Sequence, residues 1–393
     1  MKDLKKYQIA LALLDREIAY HRRKLLGIID YFSRQIGCFL AYNNELLPFL
    51  SLKELEDWNG DGIITEIYTQ EEAAFFESLG IPYVNTSTYD ISPNAHSVSP
   101  NNRMIGRLGA EHLLDSDIDS FAFVGPLHLK VAKSRYIGFA EFLEKKGSAC
   151  DISLSECITI KDKDLYVPRK TYAPEVFYDA IKQLRKPVGI MASTDKIGIS
   201  IMIACRQLGL RSPEDVALIG VDNDEIYSHL SFVGMTSIKP NSWEIGYEAA
   251  KRLHRLLKGE KVKPERVLIP PGEIVQRDST DRIRSKYPVI AHALRFIRNH
   301  ASEDIDVNSV VDLLPASRRW LELKFNEEVG HGISQEIRRV RLEHAKKLFK
   351  NKKLSLEKIA RETGFNTVER LNFAFEKNCG QSAKEYRSKS SKN

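Results

Sequence analysis

The sequence predicts two structural classes in one chain: α/β over residues 1–275 and all-α over residues 287–393. In the first part, short apolar runs alternate with amphipathic helices, which is typical of parallel sheets with helices on both faces. Two such series in succession predict two Rossmann-like lobes. In the second part, apolar residues recur only at helical spacing. The stretch between them, 276–286, is polar without an apolar period, and we expect it to be a linker.

Seven runs in the first part are predicted as strands. They are YQIALALL (7–14), CFLAY (38–42), the run that follows Trp58, IPYVNTS (81–87), FAFVG (121–125), PVGIMAS (187–193) and VALIGVDND (216–224). Short, continuously apolar runs are the mark of strands buried on both faces of a parallel sheet. Helices are predicted between them over about 21–35, 73–78, 104–114, 134–144 and 196–208.

Polar side chains follow these strands directly, where ligands bind in open α/β sheets. The candidates include Asp15, Arg16, Glu17, Thr65, Glu66, Asn85, Thr86, Ser87, Ser193, Thr194, Asp195, Asp222, Asn223 and Asp224. Carboxylates, amides and hydroxyls suit a polyol, because each sugar hydroxyl both donates and accepts hydrogen bonds. For Asp195 and Asp222, capping of a helix is the alternative interpretation.

The helical part predicts two helix-turn-helix motifs, at about 307–329 and 355–378. Pro315 breaks the first motif and Ser317 is placed to cap its second helix, while Gly364 is expected to be left-handed in the second motif. A long helix, Ser334–Phe349, joins the two motifs. Helices arranged in this way can enter successive major grooves of DNA, about 34 Å apart.

The exposed N-terminal faces of the two second helices are the predicted base-reading surfaces. The candidates are Arg318 and Arg319 with Lys324 on phosphate, and then Asn366, Thr367, Glu369 and Arg370. Arginine can form a bidentate pair with guanine in the major groove. Trp320 is predicted to lie in the core, with contact to a thymine methyl as the alternative. The stripe of Leu371, Phe373 and Phe375 is predicted to be core.

Composition narrows the function classes. The chain has 393 residues, 42% apolar and 28% charged, as in ordinary folded proteins. Its five cysteines form no Cys-x-x-Cys, which predicts free thiols in the cytoplasm. No apolar run reaches the ~18–20 residues of a membrane span, so we expect no membrane partner. No motif of common hydrolases, zinc proteases or nucleotide-binding loops occurs, so we expect no catalytic residue, metal or cofactor.

Charge is unevenly distributed along the chain, which carries +6 in total. Residues 281–393 hold 24 Lys and Arg against 15 Asp and Glu, whereas the preceding residues hold 35 against 38. A basic block favours a polyanion such as DNA, RNA or anionic lipid. A solvated helical surface is the alternative interpretation.

Residues 287–388 resemble the DNA-binding domain of AraC/XylS-type transcription regulators. The matching residues are Ser317, Leu321, Phe325, Gly330, Arg341, Ala345 and Leu348, then Ile359-Ala360, Gly364-Phe365, Phe375, Gly380 and Tyr386-Arg387. Four positions depart from the usual pattern. Leu323 and Phe373 stand where the family usually has Arg, Ala383 replaces Pro, and Pro315 replaces Gly.

Most of residues 7–275 resemble the lac repressor/periplasmic sugar-binding family. The match is carried by Asp61-Gly62-Ile63-Ile64, Leu108-Gly109-Ala110-Glu111-His112-Leu113, Phe123-Val124-Gly125-Pro126, Arg135, Gly138-Phe139, Ala192-Ser193-Thr194-Asp195, Ile219-Gly220-Val221-Asp222 and Thr236-Ser237-Ile238. The resemblance implies the type I periplasmic-binding-protein fold, with Arg135 clamping sugar hydroxyls and Asp222 accepting from them. Thr194 and Asp195 occupy a family Asn-Asp position, and Asn101 stands where Asp is common. Asp15, Glu17 and His21 complete the candidate ligand-binding set.

A lac repressor-like sensor followed by an AraC-type domain is the order found in regulators of pentose operons. The resemblance implies a sugar-responsive transcription regulator, an activator, with D-xylose or a related pentose as effector. The expected partners are operator DNA, a second copy of the chain and RNA polymerase. Two alternatives stay open: a regulator that responds to another sugar or a non-sugar ligand, and a carbohydrate-active enzyme with a basic DNA-binding tail.

Overall fold

The computed structural model describes residues 6–12, 19–41, 52–89, 91–92, 95–116, 118–147, 153–159, 175–230, 233–283, 285–349 and 354–390. Contacts divide the chain into two compact units, Met1–Arg282 and Ile283–Asn393. The first unit contains all the described strands and the second contains only helices, which confirms the predicted α/β and all-α classes.

The first unit contains twelve strands within the described ranges. They are β1 Tyr7–Ala12, β2 Cys38–Leu40, β3 Gly62–Thr65, β4 Tyr83–Asn85, β5 His96–Pro100, β6 Ser120–Gly125, β7 Ser153–Thr159, β8 Val188–Ala192, β9 Val216–Val221, β10 Thr236–Ile238, β11 Arg266–Ile269 and β12 Ile274–Val275. Its helices are α1 Ala19–Ser33, α2 Leu52–Glu56, α3 Gln70–Ser78, α4 Asn102–Leu114, α5 Lys130–Gly147, α6 Glu175–Gln183, α7 Asp195–Gln207, α8 Glu225–Leu230 and α9 Ser242–Leu257.

The strands form two six-stranded sheets, one in each lobe. The first has the order β11-β5-β4-β3-β1-β2 and the second the order β12-β10-β9-β8-β6-β7. The strand pairs are parallel except β10 with β12, which is antiparallel. Strands β6, β8 and β9 are buried along their whole length, as continuous apolar runs predict.

The chain passes between the lobes three times. It crosses after β5 into α4, returns after β10 into α9, and crosses again between β11 and β12. These strands and α9 were not predicted. The strands are short and partly polar, but α9 has buried Ile245, Ala249, Ala250 and Leu253 at helical spacing, a signal that the sequence did contain.

The expected linker over 276–286 is partly wrong. Ser279 is fully buried and donates to the carbonyl oxygen of Leu218 at 2.6 Å. Thr280 hydrogen-bonds the hydroxyl of Thr236 at 2.8 Å and the ring of His112 at 2.8 Å. Ser279 and Thr280 therefore pack against the second lobe, and this part of the stretch has no apolar period because polar side chains bind it there.

The second unit has seven described helices. They are α10 Pro288–His300, α11 Val307–Asp312, α12 Arg318–Val329, α13 Ile333–Leu348, α14 Leu356–Glu362, α15 Val368–Cys379 and α16 Ala383–Ser390. One hydrophobic core lies among α10 to α13, and a second lies among α13 to α16. The long helix α13 contributes to both.

The two helix-turn-helix motifs repeat with an offset of 50 residues. Ser317 and Thr367 cap α12 and α15, each accepting a hydrogen bond from the backbone N–H three residues later. Gly330 and Gly380 end the same helices in the left-handed conformation, at φ 79° and 68°. The two motifs of this unit are therefore structural repeats with the same helix caps.

Gly364 lies in the second turn at φ 75°, as predicted. A Cβ atom at this position would lie 2.4 Å from the carbonyl oxygen of Ala301. Arg341 on α13 donates to that same oxygen at 2.7 Å and to the carbonyl of Glu303 at 2.9 Å. The second motif is thereby held tightly against the loop that precedes the first.

The predicted core stripe on α15 is wrong at one position. Leu371 and Phe375 are fully buried, but Phe373 is 62% exposed and Ala374 takes the third inward position. The helical repeat explains this, because residues three and four apart share a face whereas residues two apart do not. Trp320 is half-buried and contacts the Tyr287 ring edge-on at 5.5 Å, which favours the core interpretation.

Candidate functional site

A cleft of about 310 Å³ lies at the carboxyl ends of the strands of the first unit. Its described lining residues are Tyr20, His21, Glu66, Tyr68, Thr86, Ser87, Thr88, Pro100, Leu129, Val131, Arg135, Thr194 and Asp222. Both lobes contribute to it, in the place where open α/β sheets bind ligands. A volume of this size suits a small ligand.

Arg135, on α5 in the second lobe, lines the cleft and is 3% exposed. Its Nε donates to Asn102 Oδ1 at 3.0 Å, and its Nη1 donates to the carbonyl oxygen of Ser193. Its Nη2 lies 3.9 Å from Asp222 Oδ1. Three neighbours therefore orient the guanidinium before any ligand arrives.

Asp222 directly follows β9 and has the unusual φ of 113°, while Asn223 beside it has φ 45°. Burial raises the pKa of Asp222 to about 6, although the nearby Arg135 and Arg23 act to lower it. Arg23 on α1 in the first lobe donates to the carbonyl oxygens of Asp222 and Asn223, both at 2.8 Å. The strained loop is thus held from the opposite lobe.

The first-lobe wall is built on a buried ion pair. Lys24 is fully buried and its Nζ donates to Glu66 Oε1 and, at 3.2 Å, to the hydroxyl of Thr86. Burial lowers the pKa of Lys24, whereas Glu66 acts to raise it. His21 Nδ1 lies 3.4 Å from Glu66 Oε2. Sequence reasoning missed Lys24, although it shares the buried face of α1 with Ile28.

Arg135, Asp222, Thr194 and His21, all predicted as ligand-binding, meet in this cleft. Thr194 also caps α7 by accepting from the N–H of Ile197 at 3.4 Å. Asp15 and Glu17 lie outside the described residues.

Asp195 is not among the described residues that line the cleft, and its contact with a ligand stays a prediction. It is 1% exposed, and both of its carboxylate oxygens already accept hydrogen bonds. Oδ1 accepts from the hydroxyl of Ser237 at 2.7 Å, and Oδ2 accepts from the N–H of Asp224 at 2.8 Å. Asp195 therefore supports the loop that carries Asp222.

Asn101 is also predicted as ligand-binding, and that contact stays a prediction. Its side chain caps α4, where Oδ1 accepts from the N–H of Met104 at 3.1 Å, and it is not among the described lining residues. The next residue, Asn102, is buried and binds both Arg135 and, at 3.1 Å, the hydroxyl of Thr88. The side chain that orients Arg135 is therefore Asn102, the first residue of α4, and not Asn101.

In the second unit, α12 carries three predicted DNA-contacting residues in different states. Arg318 donates to Glu322 at 2.9 Å and to Asn308 at 2.9 Å. Lys324 donates to Glu327 at 2.6 Å and lies 5.2 Å above the centre of the Tyr287 ring. Arg319 is exposed on the helix surface. Arg318 and Lys324 are therefore bound to other side chains of the domain, and Arg319 differs from them in being exposed on the helix surface.

The candidates in the second motif lie at the start of α15. Asn366 lies in the turn at φ 66° and its N–H donates to the carbonyl of Ala360 at 3.0 Å. Thr367 caps the helix, and Glu369 and Arg370 are exposed in its first turn.

Across the described ranges there is no cluster of three or more side chains able to hold a metal ion. Within the same ranges no helix is long and apolar enough to span a membrane.

The chain is similar to known proteins in both of its units. Residues 110–280 match the periplasmic binding protein-like domain, and residues 311–389 match a helix-turn-helix domain. The xylose operon regulatory protein of Escherichia coli K12 is 28% identical over 391 residues, which cover 98% of this chain and 97% of that protein. The chain is a homologue of the xylose operon regulatory proteins.

The xylose operon regulatory protein of Haemophilus influenzae shows the same relationship, at 27% identity over 97% of this chain and 98% of that protein. The solved structure of the xylose-binding transcription activator xylR is 28% identical, covers 98% of both chains and superposes with a TM-score of 0.68. A ribose operon repressor from Lactobacillus acidophilus, 19% identical over 71% of this chain with a TM-score of 0.54, shares the fold. These matches confirm the predicted class, a DNA-binding transcription regulator with a sensor domain.

Proposed function

We propose that this xylose regulator homologue activates genes of pentose catabolism when D-xylose or a closely related pentose occupies the cleft. The observation that carries the proposal is that buried Arg135 and Asp222 of the second lobe line one cleft with Glu66 of the first lobe, which is itself paired with buried Lys24. An oriented guanidinium donates to sugar oxygens, and a carboxylate accepts from sugar hydroxyls. The names of its relatives support xylose as the sugar and activation as the outcome.

The charges of the cleft favour a neutral sugar over a sugar phosphate. Among the described residues, the cations Arg135 and Lys24 are each matched by a carboxylate, Asp222 and Glu66. A dianionic phosphate would meet the two buried carboxylates Asp222 and Glu66, and burying charge against like charge is costly. We therefore propose a binding protein for a neutral aldose and no turnover of it.

The contacts between the lobes support a closing motion as the signal. Arg23 and the N–H of Ala19, both on α1, bind the loop of the second lobe that carries Asp222. A ligand that touches both walls would favour the closed arrangement, as in hinged binding proteins. In this proposal the regulator acts in the cytoplasm as a homodimer, binds operator DNA with α12 and α15, and contacts RNA polymerase.

Calorimetry and thermal unfolding with D-xylose, L-arabinose, D-ribose, D-glucose and xylose 5-phosphate test the sugar assignment. We expect the neutral pentose to bind and the phosphate not to bind. A ligand at 100 times its Kd stabilises the protein by about 2.7 kcal/mol. Arg135→Ala should abolish this stabilisation, whereas Arg185→Ala, which removes an exposed cation paired with Asp119, should not.

Gel shift with duplexes selected by the protein tests the coupling to DNA. We expect the bound sugar to change the affinity or spacing of the selected sites for the wild-type protein and not for Arg135→Ala. Binding that ignores every aldose tested would contradict the proposed function.

A further inference from the structure

The two base-facing helices share a feature that the function described so far does not explain. α12 and α15 each expose one large apolar side chain, Leu323 at 64% and Phe373 at 62%. The two residues are 50 positions apart, so they occupy the same place in the repeated motif. Single exposed apolar residues are common on protein surfaces, but these two recur at the same position of a repeated motif, which points to an apolar contact made by both motifs.

These side chains lie on the outward face of their helices. The inward positions are taken by Leu321 and Phe325 in α12 and by Leu371 and Phe375 in α15, all fully buried. Each exposed residue lies one turn after an exposed charged residue, Leu323 after Arg319 and Phe373 after Glu369. Residues four apart on a helix are neighbours on one face. Each motif therefore presents a charged group beside an apolar group.

The surroundings of Phe373 indicate a polyanion as the occupant of this face. Phe373 borders a groove of about 570 Å³ between α13 and α15, whose wall has three arginines, Arg338, Arg341 and Arg370, against two carboxylates, Asp306 and Glu369. Residues 281–393 carry a net charge of +9. Arginine beside an exposed apolar side chain matches a DNA major groove, where phosphates flank the base edges.

We propose that Leu323 and Phe373 read the C5-methyl groups of two thymines in successive major grooves of the operator. Thymine presents the one methyl group in the major groove, and apolar side chains recognise it by contact. Beside them, Arg319 is placed to pair with guanine and Glu369 to accept from the amino group of cytosine. This proposal rests on the proposed binding of operator DNA, and it assigns the bases that each motif selects.

Replacement of thymine by deoxyuridine removes only the methyl group and is the sharpest test. Duplexes are first selected from a random pool by the full chain, and each thymine is then replaced singly. We expect two positions, one helical turn apart, at which the replacement weakens binding about fourfold, the effect of one buried carbon. Leu323→Ala should lose the penalty at one of these positions and Phe373→Ala at the other.

Leu313→Ala is the matched control, because Leu313 is 56% exposed at the end of α11 and lies outside both base-facing helices. It should keep both penalties. Phe373→Arg should shift the selected base at its position from thymine towards guanine, which also shows that the variant folds and binds DNA.

The outcomes separate this inference from the proposed function. Selected duplexes whose affinity is unchanged by every deoxyuridine replacement would overturn the methyl contacts and leave DNA regulation standing. Variants that keep both penalties but change oligomeric state would show that the two side chains contact protein instead. Failure to select any duplex would refute the proposed DNA-binding function itself.

Discussion

The cleft between the lobes and the exposed surfaces of α12 and α15 differ in how their charged side chains are paired. In the cleft, Lys24 and Glu66 are almost fully buried and paired, so each ion depends on its partner. On α12, Arg318 and Glu322 form a pair that is about half exposed, with water competing for both. Buried ions interact strongly and are costly to leave alone, whereas exposed pairs contribute little. We therefore expect substitutions in the cleft to change the stability of the protein and its pH dependence, and substitutions on the helices to change selectivity for DNA.

The largest effect should come from Glu66→Ala, because it leaves Lys24 buried without its carboxylate. We expect the free energy of unfolding to fall by about 3–5 kcal/mol, measured by chemical denaturation. Glu260→Ala removes the partner of Arg255 in a pair that is half exposed, and it should cost under about 1 kcal/mol. An equal loss of unfolding free energy in the two variants would contradict the stronger dependence of the buried ion on its partner.

The next effect tests whether the helical unit also contains a tightly determined point. Gly364→Ala should destabilise by about 2–4 kcal/mol, because a Cβ at 2.4 Å from the Ala301 oxygen adds a clash to an unfavourable φ. Gly380→Ala shares the positive φ but meets no atom within 4 Å, so it should cost only about 1 kcal/mol. Thermal unfolding of both variants measures this, and the difference between their losses of unfolding free energy gives the cost of the clash.

Acidic pH should weaken binding of the sugar through Asp222. Its pKa of about 6 lies above the unfolded value, so the ionised form opposes folding above pH 6 and protonation relieves this as pH falls. Sugar hydroxyls donate to the ionised carboxylate, so affinity should drop about tenfold between pH 7.5 and pH 5, where only about a tenth remains ionised. Calorimetry at both pH values measures it, and Asp222→Asn should bind weakly at both.

The smallest effects should distinguish neighbouring arginines on α12. Arg319→Ala should weaken binding to a selected duplex about tenfold, within the ~1–3 kcal/mol expected for an arginine that reads a base. Arg318→Ala should change it less than threefold at the same salt concentration, because that side chain is already bound to Glu322 and Asn308. Fluorescence anisotropy compares the two, and a reversed order would contradict the assignment of Arg319.

Prediction from sequence succeeded where neighbours in the chain carry the information. Buried strands such as β6 and β9 are continuous apolar runs, the cap Ser317 marks the start of α12, and the left-handed Gly364 marks the turn of the second motif. It failed at Phe373, where a run of apolar residues concealed the helical period, and over 276–281, where polar side chains bind a sheet.

The amino-acid sequence alone determined the order of the two units, the location of the continuously apolar strands and of the turns, and the candidates Arg135 and Asp222. These features follow from local periodicity, local turn chemistry and family resemblance. Only the tertiary structure decided that Lys24 pairs with Glu66, that Arg23 holds the Asp222 loop from the other lobe, and that Asp195 is occupied inside the protein. The reason is physical: which polar groups converge depends on how strands distant in the chain are ordered in a sheet, and burial then fixes which of them must be paired.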